Sequence, residues 1–269
     1  MKKPTEKRFE DQIEISLIDN GYIKDETINF NKDYCLLTNQ IIEFIIDSQQ
    51  EKYEKLKDHF YEERDKKIFE RIDQQIKEFG VIHVLKSGIH LRDVKIDLYI
   101  RSPKSTNNPD HVKHYKKNKF IVVRQLEYKN ASKNSIDTVL FINGIPIITI
   151  ELKNQLTGQN IENAIKQYKT DRDPDDKLLS FKRCLAHFGV DNDEVVMTTN
   201  LKLGKTRFLP FNKDISNPIT EGYKSEYLWK EIFTTKSISE ILENYVHTFT
   251  EIESVYNVEK DQVEDIQNT

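Results

Sequence analysis

The first third of the chain carries apolar residues at helical spacing. Residues 5–20 place Phe9, Ile13 and Leu17 four positions apart among charged side chains, which is typical of an amphipathic helix. Residues 38–79 keep the helical spacing between dense charges and predict two helices with a break near 57–64. Gly80 follows directly, and a glycine at this place predicts the end of the helical segment.

From residue 81 onward the pattern changes to β-branched and aromatic residues that alternate with polar ones, which indicates strands. The predicted strands are 81–85, 93–100, 120–128, 135–142, 145–152 and 194–201. Helices are predicted over about 158–170 and 176–188. The order α–β–β–β–α–β predicts an α/β fold, in which helices flank a mixed β-sheet on both faces.

The strongest local signal is the segment 135–152. Asn143-Gly144 separates two apolar runs, and this dipeptide is the best short indicator of a β-hairpin. Both runs are apolar at successive positions, so both faces of the hairpin are expected to be covered. The hairpin is therefore predicted to form the centre of the sheet and not its edge.

Three ionisable residues lie at the ends of these two strands. Asp137 is near the start of the first strand, and Glu151 and Lys153 close the second, on one face because they are two positions apart. Carboxylates are ligands that suit Mg²⁺ beside a phosphate, and a neighbouring lysine can orient an attacking water. The pattern predicts a nuclease with Asp137 and Glu151 as metal ligands and Lys153 beside them. A buried ion-pair cluster without activity explains the same residues, and spacing alone leaves both interpretations open.

This site depends on the register of the hairpin. With a strict two-residue turn, Asp137 would lie opposite Ile150 and face away from Glu151. One extra residue shifts the register and places Asp137 opposite Glu151. We therefore expect a three-residue loop with a bulge, and Pro146, which has no ladder donor, fits an irregular strand just after the turn.

Composition narrows the classes of function. The net charge of −4 excludes a globally positive protein, so nucleic-acid binding requires a local patch. Cys35 and Cys184 are too few for a disulfide framework and suit a reducing compartment, which predicts a cytoplasmic protein. No apolar run approaches the roughly 18 residues of a membrane span, so no membrane partner is expected.

Several motifs together resemble the N-terminal region of the restriction (motor and nuclease) subunit of type I restriction–modification enzymes. They are SIDTVLFINGIPIITIELKN at 135–154, LLSFKRCLAHFGVDNDEVVMTT at 178–199, TRFLPFN at 206–212 and YKKNKFIVVRQLEY at 115–128. The resemblance covers roughly residues 5–250, and the series is more specific than any single motif. It implies a PD-(D/E)XK endonuclease domain that cuts double-stranded DNA with Mg²⁺, for which Mn²⁺ can substitute.

The resemblance also implies roles for individual residues. Asp137, Glu151 and Lys153 match the family's acid, acid and lysine, and Glu10 on the first helix is the best match for a further acid at the metal, with Glu6 second. The residues implied to contact DNA or support the site are Gln167, Tyr168, Arg172, Arg124 and Gln125. The family often has Gln-x-x-x-Tyr where this chain has adjacent Gln167 and Tyr168, which is a departure from the pattern.

The resemblance divides the chain into an endonuclease domain at 1–240, with a helical insertion at about 38–79, and a C-terminal helix and tail at 241–269. That tail is expected to lead toward an ATP-dependent motor outside this chain. Gly204-Lys205-Thr206 lacks the earlier glycine of a phosphate-binding loop, because Thr199 stands there, so no ATP site is expected here. In the full-length protein the implied partners are the methyltransferase and specificity subunits. Two alternatives remain, a stand-alone repair-type nuclease and a DNA-binding or subunit-docking module without activity.

Overall fold

The computed structural model of the chain describes residues 6–105, 107–130, 132–218, 221–247, 251–257 and 262–268. Its helices are α1 (Glu6–Asp19), α2 (Thr38–Phe60), α3 (Arg64–Phe79), α4 (Val81–Ser87), α5 (Pro109–Tyr115), α6 (Ile161–Thr170) and α7 (Thr235–Glu240). Its strands are β1 (Ile23–Asp25), β2 (Ile89–Leu91), β3 (Val94–Ile96), β4 (Phe120–Glu127), β5 (Ser135–Ile142), β6 (Ile145–Leu152), β7 (Ala186–Val190), β8 (Val195–Thr198), β9 (Leu209–Pro210), β10 (Glu251–Asn257) and β11 (Gln262–Asn268).

The described residues build a seven-stranded mixed sheet in the order β1-β4-β5-β6-β7-β8-β9. β1 pairs parallel with β4, and β6 pairs parallel with β7, whereas β4, β5 and β6 form an antiparallel meander. The predicted α/β class and the central position of the 135–152 hairpin are confirmed. Every residue of β6 is buried, which explains why its sequence is apolar without alternation.

Helices and loops cover both faces of the sheet. Leu140 and Ile142 belong to the larger apolar core, which also contains residues of α1, α2, α3 and α4. Val139 and Phe141 belong to a second core on the opposite face, which includes Tyr168 of α6. The alternation along β5 therefore divides the hairpin between two layers, and the candidate site lies at one end of this hairpin.

The turn of the hairpin is tight. Ile142 pairs with Ile145, so only Asn143 and Gly144 lie between the strands. Both have positive φ, 50° and 89°, as the favoured two-residue hairpin turn requires. The predicted three-residue loop is therefore wrong, because the turn itself contains two residues.

The extra residue lies within β6 instead. Phe141 pairs with Pro146, but Leu140 pairs with Ile148, so Ile147 is the additional residue and the register shifts there. Thr138 then pairs with Ile150, and the same register places Asp137 opposite Glu151. The prediction that a bulge places Asp137 opposite Glu151 is therefore confirmed. The bulge follows directly after Pro146, which cannot donate a hydrogen bond to the ladder.

Two elements predicted between residues 81 and 188 are wrong. Residues 81–85 form part of α4 and not a strand, because Val81, Val84 and Leu85 are buried at helical spacing. The predicted helix at 176–188 is a series of turns followed by β7. Lys182 has φ of 69°, a left-handed conformation that a continuous helix does not accommodate.

The helical segment 38–79 consists of α2 and α3 with a short 3₁₀ turn, Tyr61–Glu63, at the predicted break. Where a helix and polar tail were predicted, π-helical residues Ile241–Tyr245 are followed by the antiparallel pair β10 and β11. The division of the chain at residue 240 stays a prediction. Among the described residues, none of the helices is both long enough and apolar enough to cross a bilayer.

Candidate active site

Asp137 and Glu151 meet across the central hairpin. The Ile147 bulge brings Asp137, near the start of β5, beside the end of β6, where its Oδ2 accepts a hydrogen bond from the backbone N–H of Leu152 at 2.8 Å. The charge of Asp137 acts on Glu151 and raises its pKa, which shows that the two carboxylates are electrostatic neighbours. The structure thus joins the two acids that the sequence predicted as partners.

Glu151 is fully buried, with 0% of the residue exposed. Its Oε1 accepts a hydrogen bond from Nε of Arg172 at 2.7 Å, whereas its buried Oε2 has no hydrogen-bond partner among the described residues. Burial, and then the charge of Asp137, raise the pKa of Glu151 to about 8, against the opposing effects of Arg172 and Lys153. An orphaned buried carboxylate oxygen is costly unless a proton or a cation satisfies it.

Lys153 follows β6 and is fixed through its backbone, since its N–H donates to the carbonyl oxygen of Val190 at 2.8 Å. The residue is 8% exposed, and its positive charge lowers the pKa of Glu151. The side chain also lines a polar hollow of about 380 Å³ on the surface of α6. Lys153 therefore stands between the buried acid and the solvent.

Gln125 connects Asp137 to the first helix. Its Nε2 donates to Oδ1 of Asp137 at 3.2 Å and to Oε1 of Glu10 at 3.1 Å. Its φ of 48° is left-handed, and the β4–β5 ladder lacks a pair at this point although Arg124 and Leu126 on either side are paired. Such a conformation costs about 1–3 kcal/mol for a residue other than glycine and is often retained at functional sites. The strained residue holds an acid of α1 close to an acid of the sheet.

Arg124 clamps α1 to the same edge of the site. It donates to Glu10 and Asp11 at 2.6 Å each and lies 3.4 Å from Glu14. Burial opposes the charge, but the hydrogen bonds that Arg124 donates to Glu10 and Asp11 outweigh this effect and raise the pKa of Arg124 above its usual range. Arg124 is thus committed to acids of α1 and supports the site.

Gln167 and Tyr168 project in different directions from α6. Tyr168 is buried, and its hydroxyl lies 2.9 Å from Oγ1 of Thr149, which is 2.7 Å from Nδ1 of His187. Burial lowers the pKa of His187 to about 4, so the imidazole is neutral near pH 7. Gln167 is partly exposed and lines the hollow with Lys153. Tyr168 therefore braces the sheet, and Gln167 faces solvent.

Sequence reasoning did not find Thr149 or His187. The predicted helix at 176–188 includes His187, although the run AHFGV at 186–190 is a strand pattern that could have placed this residue beside β6. Thr149 lies two positions before Glu151, and this spacing on a strand indicates that the two side chains share a face.

The residues fit a metal ion with two protein carboxylates. Within the described part of the chain, no group of three or more His, Cys, Asp or Glu side chains could hold a metal ion. Asp137 and Glu151 supply hard oxygen ligands, and Oε2 of Glu151 has an unmet need for a cation or proton. Mg²⁺ is commonly held by one or two carboxylates together with water and substrate phosphate. The assignment of Glu10 as a third metal ligand stays a prediction.

Comparisons with known proteins identify the family of the chain. The family model described as the type I restriction enzyme R protein N terminus matches residues 31–205, which include the hairpin, α6 and β7. The endonuclease subunit of the type I restriction enzyme HindI from Haemophilus influenzae is 29% identical over 101 residues. This match covers 36% of the chain and only 9% of that relative. Since the family model spans more than half of the chain, the protein belongs to the family of type I restriction enzyme R protein N-terminal regions.

Proposed function

We propose that this chain is the Mg²⁺-dependent endonuclease domain of a type I restriction enzyme R subunit and hydrolyses phosphodiester bonds of double-stranded DNA. One observation carries the proposal: the bulged hairpin joins Asp137 to the buried Glu151, whose Oε2 has no partner among the described residues. A pair of carboxylates beside a lysine is the donor set that this chemistry needs. Mn²⁺ is expected to support the same reaction in place of Mg²⁺.

The two carboxylates would hold the metal, and their orientation is fixed by other groups. Leu152 N–H and the Gln125 amide orient Asp137, while Arg172 holds one oxygen of Glu151 and leaves the other open. A bound Mg²⁺ would supply Lewis-acid polarisation of the scissile phosphate and compensate its developing charge. Because both carboxylates are hydrogen-bonded in place, little reorganisation is needed before a cation is bound.

Lys153 would orient the attacking water. Its backbone is tied to β7, and its positive charge lowers the pKa of Glu151, which supports a place for the ammonium group beside the two acids. A positive charge at this position favours hydroxide and stabilises negative charge on the phosphate. In this proposal Lys153 is the catalytic residue that would contact the attacking water.

Membership of the family supports a proposal for the assembly of the full-length protein. We expect the intact subunit to add an ATP-driven motor and to act with methyltransferase and specificity subunits. The chain itself would then contribute phosphodiester cleavage without sequence choice of its own.

A second candidate is a DNA-binding or subunit-docking module that does not cut. Two observations favour it. Within the described part of the chain, no group of three His, Cys, Asp or Glu side chains could hold a metal ion, and both oxygens of Asp137 already accept hydrogen bonds. Each carboxylate oxygen has a further lone pair, however, so these bonds do not block metal binding.

Nicking of supercoiled plasmid with Mg²⁺ or Mn²⁺ separates the two candidates. We expect wild type to nick the plasmid and Lys153→Ala to lose this activity with little change in thermal unfolding. Lys169→Ala, which removes a lysine from α6 outside the hollow, is the matched control and should nick normally. Nicking that survives in Lys153→Ala would show that the site is wrong. DNA binding by wild type without any nicking would favour the docking module.

A further inference from the structure

The polar hollow beside Lys153 continues along the outer face of α6. It has a volume of about 380 Å³ and reaches from Lys153 at the end of β6 to Asp171 at the end of the helix. We call it the α6 groove. Among the described residues, its lining contains lysine, glutamine, asparagine, threonine and aspartate side chains, and no aromatic or aliphatic one.

The periodicity of α6 explains why this face is polar. Ile161, Ala164 and Tyr168 are buried against the sheet at spacings of three and four. The groove residues Lys166 and Gln167 lie on the other side of the helix, at exposed and partly exposed positions. The apolar half of the helix fixes its place beside β7, so the polar half is presented next to the site.

The groove offers positive charge and amide donors. In the part of the lining that the structure describes, the cations are Lys153 and Lys166, and the acid is Asp171 at the far end. Gln159 and Gln167 supply primary amides. Thr170 Oγ1 donates to Oδ1 of Asp171 at 2.7 Å, which satisfies part of that carboxylate locally. Lysine and uncharged polar side chains are the groups that contact phosphate and sugar in DNA complexes. The absence of aromatic lining argues against base stacking in this groove.

Lys153 belongs both to the candidate active site and to the groove. Its charge acts on Glu151, and its side chain lines the hollow, so the two features are continuous. α6 has 10 residues and is about 15 Å long. One DNA strand advances about 3.4 Å per phosphate along the helix axis, so a few phosphates fit along this length.

We propose that the α6 groove binds the phosphodiester backbone of the cut DNA strand next to the scissile phosphate, through Lys166, Gln159 and Gln167, without contact to base edges. The inference rests on the proposed function, because it places the scissile phosphate at Lys153. It assigns Lys166 and Gln159 to a binding surface that holds DNA by charge and amide hydrogen bonds.

The test measures binding of the 269-residue chain to short duplex DNA by fluorescence anisotropy in EDTA, over about 50 to 200 mM salt. Lys166→Gln should weaken binding and make the slope of log K against log salt shallower by about 0.9, since one phosphate contact is lost. Gln159→Ala should weaken binding roughly two- to tenfold with an unchanged slope, because it removes a hydrogen bond and no charge.

Lys169→Gln is the matched control, because it makes the same charge change on the same helix outside the groove. It should leave both affinity and slope close to wild type. Equal slopes for Lys166→Gln and Lys169→Gln would overturn the proposal, and so would a wild-type chain that binds no duplex at low salt. Two duplexes of unrelated sequence should bind equally, and a sequence preference that Gln159→Ala removes would contradict binding to the backbone alone.

These measurements contain no metal and do not monitor cleavage, so the groove proposal can be contradicted independently of the nuclease proposal. A shallower slope in Lys166→Gln together with an absence of Mg²⁺-dependent nicking in wild type would support the groove and overturn the catalytic assignment. Nicking that depends on Lys153 together with an unchanged slope in Lys166→Gln would overturn the groove and support the catalytic assignment.

Discussion

Nε of Arg172 donates to Oε1 of Glu151 at 2.7 Å, in an ion pair whose side chains are 5% and 0% exposed. Nη2 of the same arginine donates to the carbonyl oxygen of Ser135, also at 2.7 Å. Arg172 therefore ties the start of β5 to the end of β6 and compensates the buried acid. The metal site that we propose depends on this arginine even though it does not itself ligate the metal.

Arg172→Met is expected to destabilise the domain by about 3–5 kcal/mol, because it leaves the buried Glu151 without its charged partner. Urea unfolding at pH 8 measures the change. Lys169→Met, a change of the same type on α6 outside this ion pair, should stay within about 0.5 kcal/mol of wild type. An Arg172→Met protein as stable as wild type would show that the pair does not hold the site together.

The stability of the domain should depend on the protonation of Glu151. Its pKa is raised from 4.5 to about 8 in the folded protein, so the native state binds this proton more tightly than the unfolded chain does. The resulting stabilisation is complete below pH 4.5 and is lost as the pH rises through 8. Between these pH values the unfolding free energy of wild type should fall by on the order of a few kcal/mol relative to that of Glu151→Gln, in which residue 151 cannot titrate. A difference in unfolding free energy that is flat with pH would contradict the raised pKa.

Gln125→Glu should destabilise the site in a pH-dependent manner. The new carboxylate can still accept a hydrogen bond from Ser135 Oγ, which lies 2.9 Å from Gln125 Oε1, but it cannot donate to Glu10 and Asp137. Three acids would then face one another, and we expect a loss of about 1–3 kcal/mol at pH 8 that is smaller at pH 5. Gln125→Ala should lose a similar unfolding free energy at pH 8 and at pH 5. The same pH dependence of stability in both variants would argue against the amide bridge.

Tyr168→Phe tests whether this residue braces the sheet or contacts DNA. Loss of the hydroxyl removes the contact with Thr149 and should lower the unfolding free energy by about 0.5–1.5 kcal/mol. DNA affinity should be unchanged, because Tyr168 is fully buried. Weaker DNA binding at unchanged stability would contradict the bracing role.

The central hairpin could be predicted from the sequence because its signals are local. Asn143 and Gly144 specify a tight turn, and the apolar residues on either side specify strands that are buried on both faces. The pairing of Asp137 with Glu151 could be derived from the alternation of side chains along the two strands. The predicted place of the extra residue is the turn, whereas the structure has it at Ile147. Strand alternation fixes which side chains share a face, but it does not show where a ladder accommodates one residue more.

The rest of the site depends on contacts between residues that are distant in the sequence. Nothing near Arg172 shows that its guanidinium reaches Glu151, and nothing near Gln125 shows its left-handed φ or its bridge to Glu10. His187 was missed because the apolar spacing of 176–188 is compatible with a helix, while the backbone of Lys182 prevents one. In each case tertiary contacts decide the local conformation.

The central claim is that Asp137 and Glu151 hold a divalent metal beside Lys153, and Mn²⁺ soaked into crystals of this chain tests it most directly. The account predicts an anomalous difference peak in contact with the carboxylates of both acids in wild type, and its loss in Asp137→Asn. A map without a peak at these two side chains, or with Mn²⁺ bound only elsewhere, would contradict it.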